Sequence, residues 1–127
     1  MRIQLTSIMV QNQDTALRFY TEVLGFIKKT EIPIGEHKWL TVVSPEAPDE
    51  IELLLEPMGF EPARVYQQEL FKAGIPIATF NVDNIEDEFA RLQKLGVIFS
   101  MKPTPMGAAT LAVFDDTCGN NIQIVQV

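Results

Sequence analysis

Residues 14–26 read DTALRFYTEVLGF, and residues 84–97 repeat the same design as NIEDEFARLQKLGV. In the first stretch the apolar residues at 16, 17, 20, 23 and 24 have the spacing of one helix face. Asp14 and Asn84 are suited to cap the two helices, and Gly25 and Gly96 to end them in a left-handed turn. The two glycines lie 71 residues apart (96 minus 25), so the pattern predicts a duplicated unit.

Runs that alternate apolar and polar residues surround each predicted helix and are typical of β-strands. One run precedes each helix, at residues 6–10 and 78–82. Three more follow each helix: 26–32, 38–43 and 50–56 in the first half, and 97–102, 109–114 and 121–127 in the second. Pro33, Pro103 and Pro105 are expected to end strands and open loops.

The order of these elements is βαβββ in each half. One helix cannot cover both faces of a four-stranded sheet, so we expect the halves to pack together with the helices outside. The sequence therefore predicts an α+β fold of two tandem βαβββ modules that form a curved mixed sheet around a cleft. We expect one domain over residues 1–127, with module 1 at about 1–57, a connector at about 58–74 and module 2 at about 75–127. The connector should hold a short helix over residues 62–73.

Composition excludes several classes of protein. The chain has 127 residues, with 10 Lys plus Arg against 17 Asp plus Glu and a net charge of -7. It lacks the clustered basic surface that releases counterions from phosphates, which argues against nucleic acid as the main partner. Cys118 is the only cysteine, which excludes an intrachain disulfide and suits a reducing compartment. No apolar stretch approaches the roughly 20 residues that span a bilayer, so we expect a cytoplasmic protein with no membrane partner.

Two motifs carry a resemblance to a known family. They are Ala16–Tyr20 followed by Leu24-Gly25-Phe26, and the closing turn 116–122, DTCGNNI, which leads into the last predicted strand. With the βαβββ duplication, they make the chain resemble the vicinal oxygen chelate (VOC) superfamily, which includes glyoxalase I, bleomycin-resistance-type binding proteins and extradiol dioxygenases. The resemblance covers almost the whole chain and implies the glyoxalase/bleomycin resistance/dioxygenase fold and a homodimer. It does not define a reaction, because one scaffold supports many chemistries.

For the metalloenzymes of this superfamily, the resemblance implies four metal-ligand positions, which fall here at Leu5, Glu52, Ile77 and Gln123. Only Glu52 is an anionic ligand, and Leu5 and Ile77 have no lone pair to donate. His37 is the only histidine, so one chain cannot supply the two histidines of a facial-triad iron site. We therefore predict no metal and no other cofactor, with a divalent metal ion held by Glu52 and unusual donors as the alternative.

Side-chain alternation should divide each strand between the cleft and the helices. The parity of the ligand positions presents apolar, hydroxyl, amide and carboxylate groups, a mixture that is usual in small-molecule sites. The predicted ligand-binding cleft comprises Leu5, Ser7, Met9, Trp39, Glu52, Leu54, Ile77, Thr79 and Gln123. Trp39 and Phe114 could stack on a planar ligand or belong to the core.

Glu52 is the candidate catalytic residue, as a general base or as an acceptor that orients a ligand. The alternative is a structural hydrogen bond between Glu52 and Gln123, its mate in the repeat. Cys118 has no neighbouring histidine or lysine to stabilise a thiolate, so it is not a candidate nucleophile. We expect specificity to depend on loops at 33–37, 57–62 and 102–108.

Three functions remain open on these grounds. The first is a metal-independent, cytoplasmic protein that binds a small organic molecule, by analogy with resistance-type binding proteins. The second is an enzyme of lyase, isomerase or dioxygenase type, in which Glu52 holds a metal ion or acts as a base. The third is a dimerising or regulatory module without a ligand.

Overall fold

The computed structural model describes residues 1–127, and each predicted helix and strand has a counterpart in it. The elements are β1 (Leu5–Val10), α1 (Gln13–Arg18), β2 (Ile27–Ile34), β3 (His37–Val43), β4 (Glu52–Pro57), α2 (Glu61–Lys72), β5 (Ala78–Asn81), α3 (Ile85–Lys94), β6 (Phe99–Met106), β7 (Ala109–Asp115) and β8 (Asn121–Gln126). A π-helical turn over Phe19–Val23 continues α1. None of the helices combines the length and the hydrophobicity needed to cross a bilayer.

The chain divides into two compact units, Met1–Arg64 (unit 1) and Val65–Val127 (unit 2), with the boundary inside α2. Unit 1 contains a four-stranded sheet of order β1-β4-β3-β2, and unit 2 contains one of order β5-β8-β7-β6. In each sheet the first and last strands of the unit run parallel, and the other neighbours are antiparallel. The α+β class and the duplicated βαβββ order are therefore confirmed, whereas the grouping of both modules into one domain stays a prediction.

One face of each sheet packs against a helix of its own unit. In unit 1, α1 contacts β3 and β4, and in unit 2, α3 contacts β6, β7 and β8. The buried apolar side chains on these faces are Ile8, Val10, Leu40, Val42 and Leu55 in unit 1, and Ala112, Phe114, Ile122 and Ile124 in unit 2. Burial of one such large apolar side chain stabilises the fold by about 1.5–3 kcal/mol. Phe114 belongs to this core, 5.5 Å from Phe99 in an edge-to-face contact, so it does not stack on a ligand.

The helix caps differ in one respect from the prediction. Asn84 caps α3 as expected, since its Oδ1 accepts a hydrogen bond of 3.0 Å from the Asp87 backbone N–H. In α1, however, Asn12 is the cap, with a bond of 2.9 Å from the Thr15 N–H, and Asp14 was the wrong choice. The helix begins two residues earlier than its apolar pattern indicates, so Asp14 lies inside the first turn. There its carboxylate interacts favourably with the helix dipole, and Asp14 Oδ1 lies 2.7 Å from Lys38 Nζ in an ion pair.

Two predicted loops are strands in the structure. Pro33 lies within β2, and Pro103 and Pro105 lie within β6, so the loops expected at 33–37 and 102–108 shrink to two-residue hairpin turns. Both β2 and β6 are edge strands, where a proline can lack an N–H without breaking a ladder of hydrogen bonds. The prolines therefore indicate edge strands of the sheets, and the prediction that they open loops was wrong.

Candidate ligand-binding site

The sheet of unit 1 has a second face that turns away from α1, and we call it the helix-free face of unit 1. Strand register places alternate residues of three neighbouring strands on it: Leu5, Ser7 and Met9 of β1, Glu52, Leu54 and Glu56 of β4, and Trp39, Thr41 and Val43 of β3. The predicted cleft residues of the first half therefore share one sheet face. Leu54 and Thr41 are buried at its centre, whereas Leu5, Ser7 and Trp39 are exposed.

Glu52 begins β4 in the middle of this sheet and is half-buried. Its cross-strand neighbours are Leu5 on one side and Val43 on the other, so hydrocarbon flanks the carboxylate. The Thr41 hydroxyl donates a hydrogen bond of 2.8 Å to Glu52 Oε1. Because Thr41 is fully buried and β-branched, this bond holds the carboxylate in one orientation.

Trp39 provides an aromatic surface on the same face. It lies two residues before Thr41 along β3, about 7 Å away by strand rise. Its side chain is 38% exposed, and its cross-strand partner Ile32 is 52% exposed. An exposed aromatic ring beside an exposed aliphatic side chain is a surface on which a planar organic molecule can stack.

The sheet of unit 2 also has a face that turns away from its helix. Register places Thr79 of β5 opposite Gln123 of β8, and Gln123 Nε2 donates a hydrogen bond of 3.1 Å to Thr79 Oγ1. Ile77 lies one residue before β5 and bonds through its backbone N–H to the Asn121 carbonyl at 2.9 Å. Thr79, rather than Ile77, is thus the register equivalent of Leu5. Each repeat mate, Glu52 and Gln123, has a threonine partner within its own unit.

The donors at these positions do not fit a catalytic metal. The structure forms no group of three or more His, Cys, Asp or Glu side chains that could hold a metal ion. Leu5 and Ile77 are hydrocarbons, Gln123 and Thr79 are neutral and bonded to each other, and one oxygen of Glu52 is bonded to Thr41. A zinc or iron centre needs several deprotonated nitrogen, oxygen or sulfur donors, and Glu52 is the one anionic member of this set.

The two other reactive side chains are His37, at the margin of this face, and Cys118, in unit 2. His37 is exposed at the first residue of β3, beside the hairpin turn. Cys118 is buried, and its burial together with the nearby Asp116 charge raises the pKa of the thiol to about 12. A thiol with that pKa is protonated at neutral pH, which agrees with the prediction that Cys118 is not a nucleophile.

Two features of the structure were missed by the sequence reasoning. The first is Thr41. Alternation could have predicted it as a cleft residue, because residues 39, 41 and 43 share one face of a strand and Trp39 was predicted to line the cleft. The second is a buried polar network in unit 2, in which Gln67 of α2 donates to Asn120 Oδ1 at 3.0 Å and Asn120 Nδ2 donates to Asp116 Oδ2 at 2.9 Å. It joins residues more than 50 positions apart, and no local pattern reveals such a pair.

Comparison with known proteins identifies the family. Residues 2–124 match the model of the Glyoxalase/Bleomycin resistance protein/Dioxygenase superfamily. The chain belongs to this superfamily, which confirms the resemblance drawn from its motifs and the fold that the resemblance implies.

Three relatives give the match more detail. The uncharacterized protein YurT of Bacillus subtilis (strain 168) is 55% identical over 126 residues, covering 99% of both chains. The crystal structure of UcmS2 superimposes with a TM-score of 0.85 at 32% identity, covering 98% of this chain and 97% of that one. The crystal structure of TnmS3, described as an antibiotic binding protein from Streptomyces sp. CB03234, superimposes with a TM-score of 0.78 at 27% identity, covering 99% and 95%.

Proposed function

We propose that this protein binds a small organic molecule on the helix-free face of unit 1 and does so without a catalytic metal. The observation that carries the proposal is the half-buried Glu52 carboxylate, oriented by the buried Thr41 hydroxyl beside the exposed Trp39 ring. A few fixed polar groups on an otherwise apolar surface are the usual character of a small-molecule site. The similarity to TnmS3, an antibiotic binding protein, supports a binding function within this superfamily.

Each side chain of the proposed site has a distinct role. Trp39 stacks on a planar part of the ligand, and Glu52 accepts a hydrogen bond or faces a charged group. Leu5, Met9 and Leu54 supply apolar contact, and the Ser7 hydroxyl supplies a further polar contact. In unit 2, the ligand-binding roles of Ile77, Thr79 and Gln123 stay a prediction from the sequence.

A screen followed by a titration tests this function. Melting temperatures would be compared across aromatic, thiol-conjugated and antibiotic-like compounds, and each hit titrated by tryptophan fluorescence, since Trp39 is the single tryptophan. We expect Trp39→Ala to weaken a hit about tenfold through lost stacking when binding is measured by calorimetry. Trp39→Phe should retain most of the affinity. Phe71→Ala removes an equally exposed aromatic ring from α2, outside unit 1, and should retain all of it.

The metal-independent part is tested separately. Hits should bind with equal affinity before and after treatment with a chelator, and the purified protein should contain no stoichiometric transition metal. Stoichiometric Zn, Ni, Mn or Fe whose removal abolishes binding would overturn the proposal in favour of a lyase, isomerase or dioxygenase that uses Glu52 as a ligand. A screen in which no compound shifts the melting temperature would favour the third possibility, a module without a ligand.

We also propose that the protein is a cytoplasmic homodimer. The support is the superfamily resemblance, together with the exposed edge strand β2 in unit 1. Sedimentation velocity at micromolar concentration checks the dimer, and a single species of 14.3 kDa would contradict it.

A further inference from the structure

Charge on the helix-free face of unit 1 is of one sign. Glu52 and Glu56 lie on it, both half-buried, and Glu56 is paired in register with Met9. The strands β1, β3 and β4 present no lysine or arginine to this face. The face therefore offers a ligand negative charge without any compensating positive charge.

Two lysines of this sheet, Lys28 and Lys38, form ion pairs elsewhere. Lys38, on the opposite face of β3, forms ion pairs with Asp14 at 2.7 Å and Glu31 at 3.1 Å, and Lys28 pairs with Glu31 at 2.8 Å. Neither Glu52 nor Glu56 takes part in an ion pair. A carboxylate that has lost part of its hydration gains most from a counter-charge, and here the protein does not supply one.

Thr41 defines how Glu52 can meet a ligand. The Thr41 hydroxyl donates a hydrogen bond to Glu52 Oε1, so the Glu52 carboxylate accepts from a fully buried residue. An ordered carboxylate loses less side-chain entropy on binding than a free one, which favours a directed contact. The Trp39 ring on the same face can stack on the ligand's apolar part and can also face its charge.

We propose that Glu52, with Thr41 as its positioning residue, selects ligands that carry a positively charged nitrogen on an aromatic or otherwise apolar body. This inference rests on the proposed binding function and specifies the ligand class for that site. The residues that carry it are Glu52, Thr41 and Trp39.

A matched series of probes tests the charge preference. 1-Naphthylmethylamine, 1-naphthylmethanol and 1-naphthoate share one ring system and are positive, neutral and negative at pH 7. Calorimetric titration of the purified protein should show the amine binding about tenfold more tightly than the alcohol, a difference of about 1.4 kcal/mol, and the carboxylate binding most weakly.

Variants assign the preference to the two residues. Glu52→Gln should remove the difference in affinity between the amine and the alcohol, because the amide oxygen still accepts a hydrogen bond but carries no charge. Glu46→Gln removes the same charge from an exposed turn of unit 1 and should leave the tenfold ratio intact. Thr41→Val should lower the amine-to-alcohol ratio by about threefold, the worth of one modest hydrogen bond, whereas Thr41→Ser should restore it. A purely structural role for Thr41 would change both affinities together.

The outcomes separate the inference from the function on which it rests. If the alcohol or the carboxylate binds as tightly as the amine, the charge selection is wrong and the binding site stands. If the ratio survives Glu52→Gln, or falls equally in Glu52→Gln and Glu46→Gln, the Glu52 contact does not set the preference and the inference is wrong. If none of the three probes binds at millimolar concentration and the screen also yields no hit, the proposed function fails and the inference fails with it.

Discussion

The two units repeat one topology, but they differ in where their polar groups lie. In unit 1 the polar groups of note, Glu52 and Thr41, are on the helix-free sheet face, with Trp39 beside them. In unit 2 that face carries a neutral amide, Gln123, whereas the buried carboxylate Asp116 lies in the turn before β8. The two copies of one framework therefore differ in where their polar groups lie: on a sheet face in unit 1 and in a buried network in unit 2.

The turns that lead into the last strand of each unit show the same division. In unit 1 the turn closes with backbone bonds, from the Ala47 N–H to the Ser44 carbonyl at 3.0 Å and from the Glu50 N–H to the Ala47 carbonyl at 3.2 Å. In unit 2 the Asp116 carboxylate accepts from the Cys118 N–H at 2.7 Å, the Asn120 N–H at 3.0 Å and the Asn120 side chain. Unit 2 should therefore depend on its turn far more than unit 1 does.

Removal of the Asp116 carboxylate should have the largest effect on stability. Asp116→Ala leaves the buried Cys118 and Asn120 N–H groups without their acceptor, so we expect a loss of about 3 kcal/mol in the free energy of unfolding. Urea denaturation followed by circular dichroism measures it. The matched change in the other turn, Asp49→Ala, removes an exposed carboxylate and should cost less than about 0.5 kcal/mol. Equal losses in the two turns would show that the network does not distinguish the units.

Alkaline pH should reveal the burial of Cys118 in the same turn. The folded state raises the thiol pKa from 9.0 to about 12, so it favours the protonated form. That contribution is complete below pH 9 and is lost as pH rises toward 12, and by about pH 10.5 the loss should reach about 2 kcal/mol. Urea unfolding at pH 8 and at about pH 10.5 measures it by comparison with Cys118→Ala, which should lack this part of the pH dependence. An identical pH dependence in both proteins would mean that the thiol ionises as freely in the folded state as in the unfolded one.

The contrast between the units also explains what sequence reasoning could reach. The βαβββ order and the helix-facing parity follow from local spacing and agree with the structure. So do the glycines that close the first and third helical segments: Gly25, after the π-helical turn, and Gly96, after α3, have φ of 94° and 87°. The same local spacing occurs in both copies, so the secondary structure predicted for one copy supports the prediction for the other. The loop predicted at Pro33 was wrong, because a proline indicates only a missing backbone N–H. Whether that removes a hydrogen bond between strands depends on which strand lies at the sheet edge.

The candidate site was less accessible to sequence reasoning for a related reason. Side-chain alternation predicted that Glu52 and Trp39 lie on the same face of the sheet. It could not predict the partner of Glu52, because that depends on the register between β3 and β4. Register is a property of the assembled sheet, and it brings Thr41 to 2.8 Å from Glu52 Oε1. The Gln67–Asn120 bond is further still from any local pattern, because it joins a connector helix to a distant turn.

The helix caps provide the smallest effect and the test of equivalence between the units. Asn12 and Asn84 both adopt extended backbone conformations and accept from the third N–H of their helix, at 2.9 and 3.0 Å. Each cap satisfies one backbone donor that the helix itself leaves open, so Asn12→Ala and Asn84→Ala should each cost about 1 kcal/mol of unfolding free energy. The control is Asp14→Ala: because Asn12 is the true cap of α1, this change should cost less than Asn12→Ala in the same urea experiment. If Asp14→Ala costs more, the cap of α1 lies where the apolar pattern first placed it. If the two asparagine variants differ by more than about 1 kcal/mol, the short α1 and the longer α3 do not contribute equally, and the equivalence of the two units ends at their backbone topology.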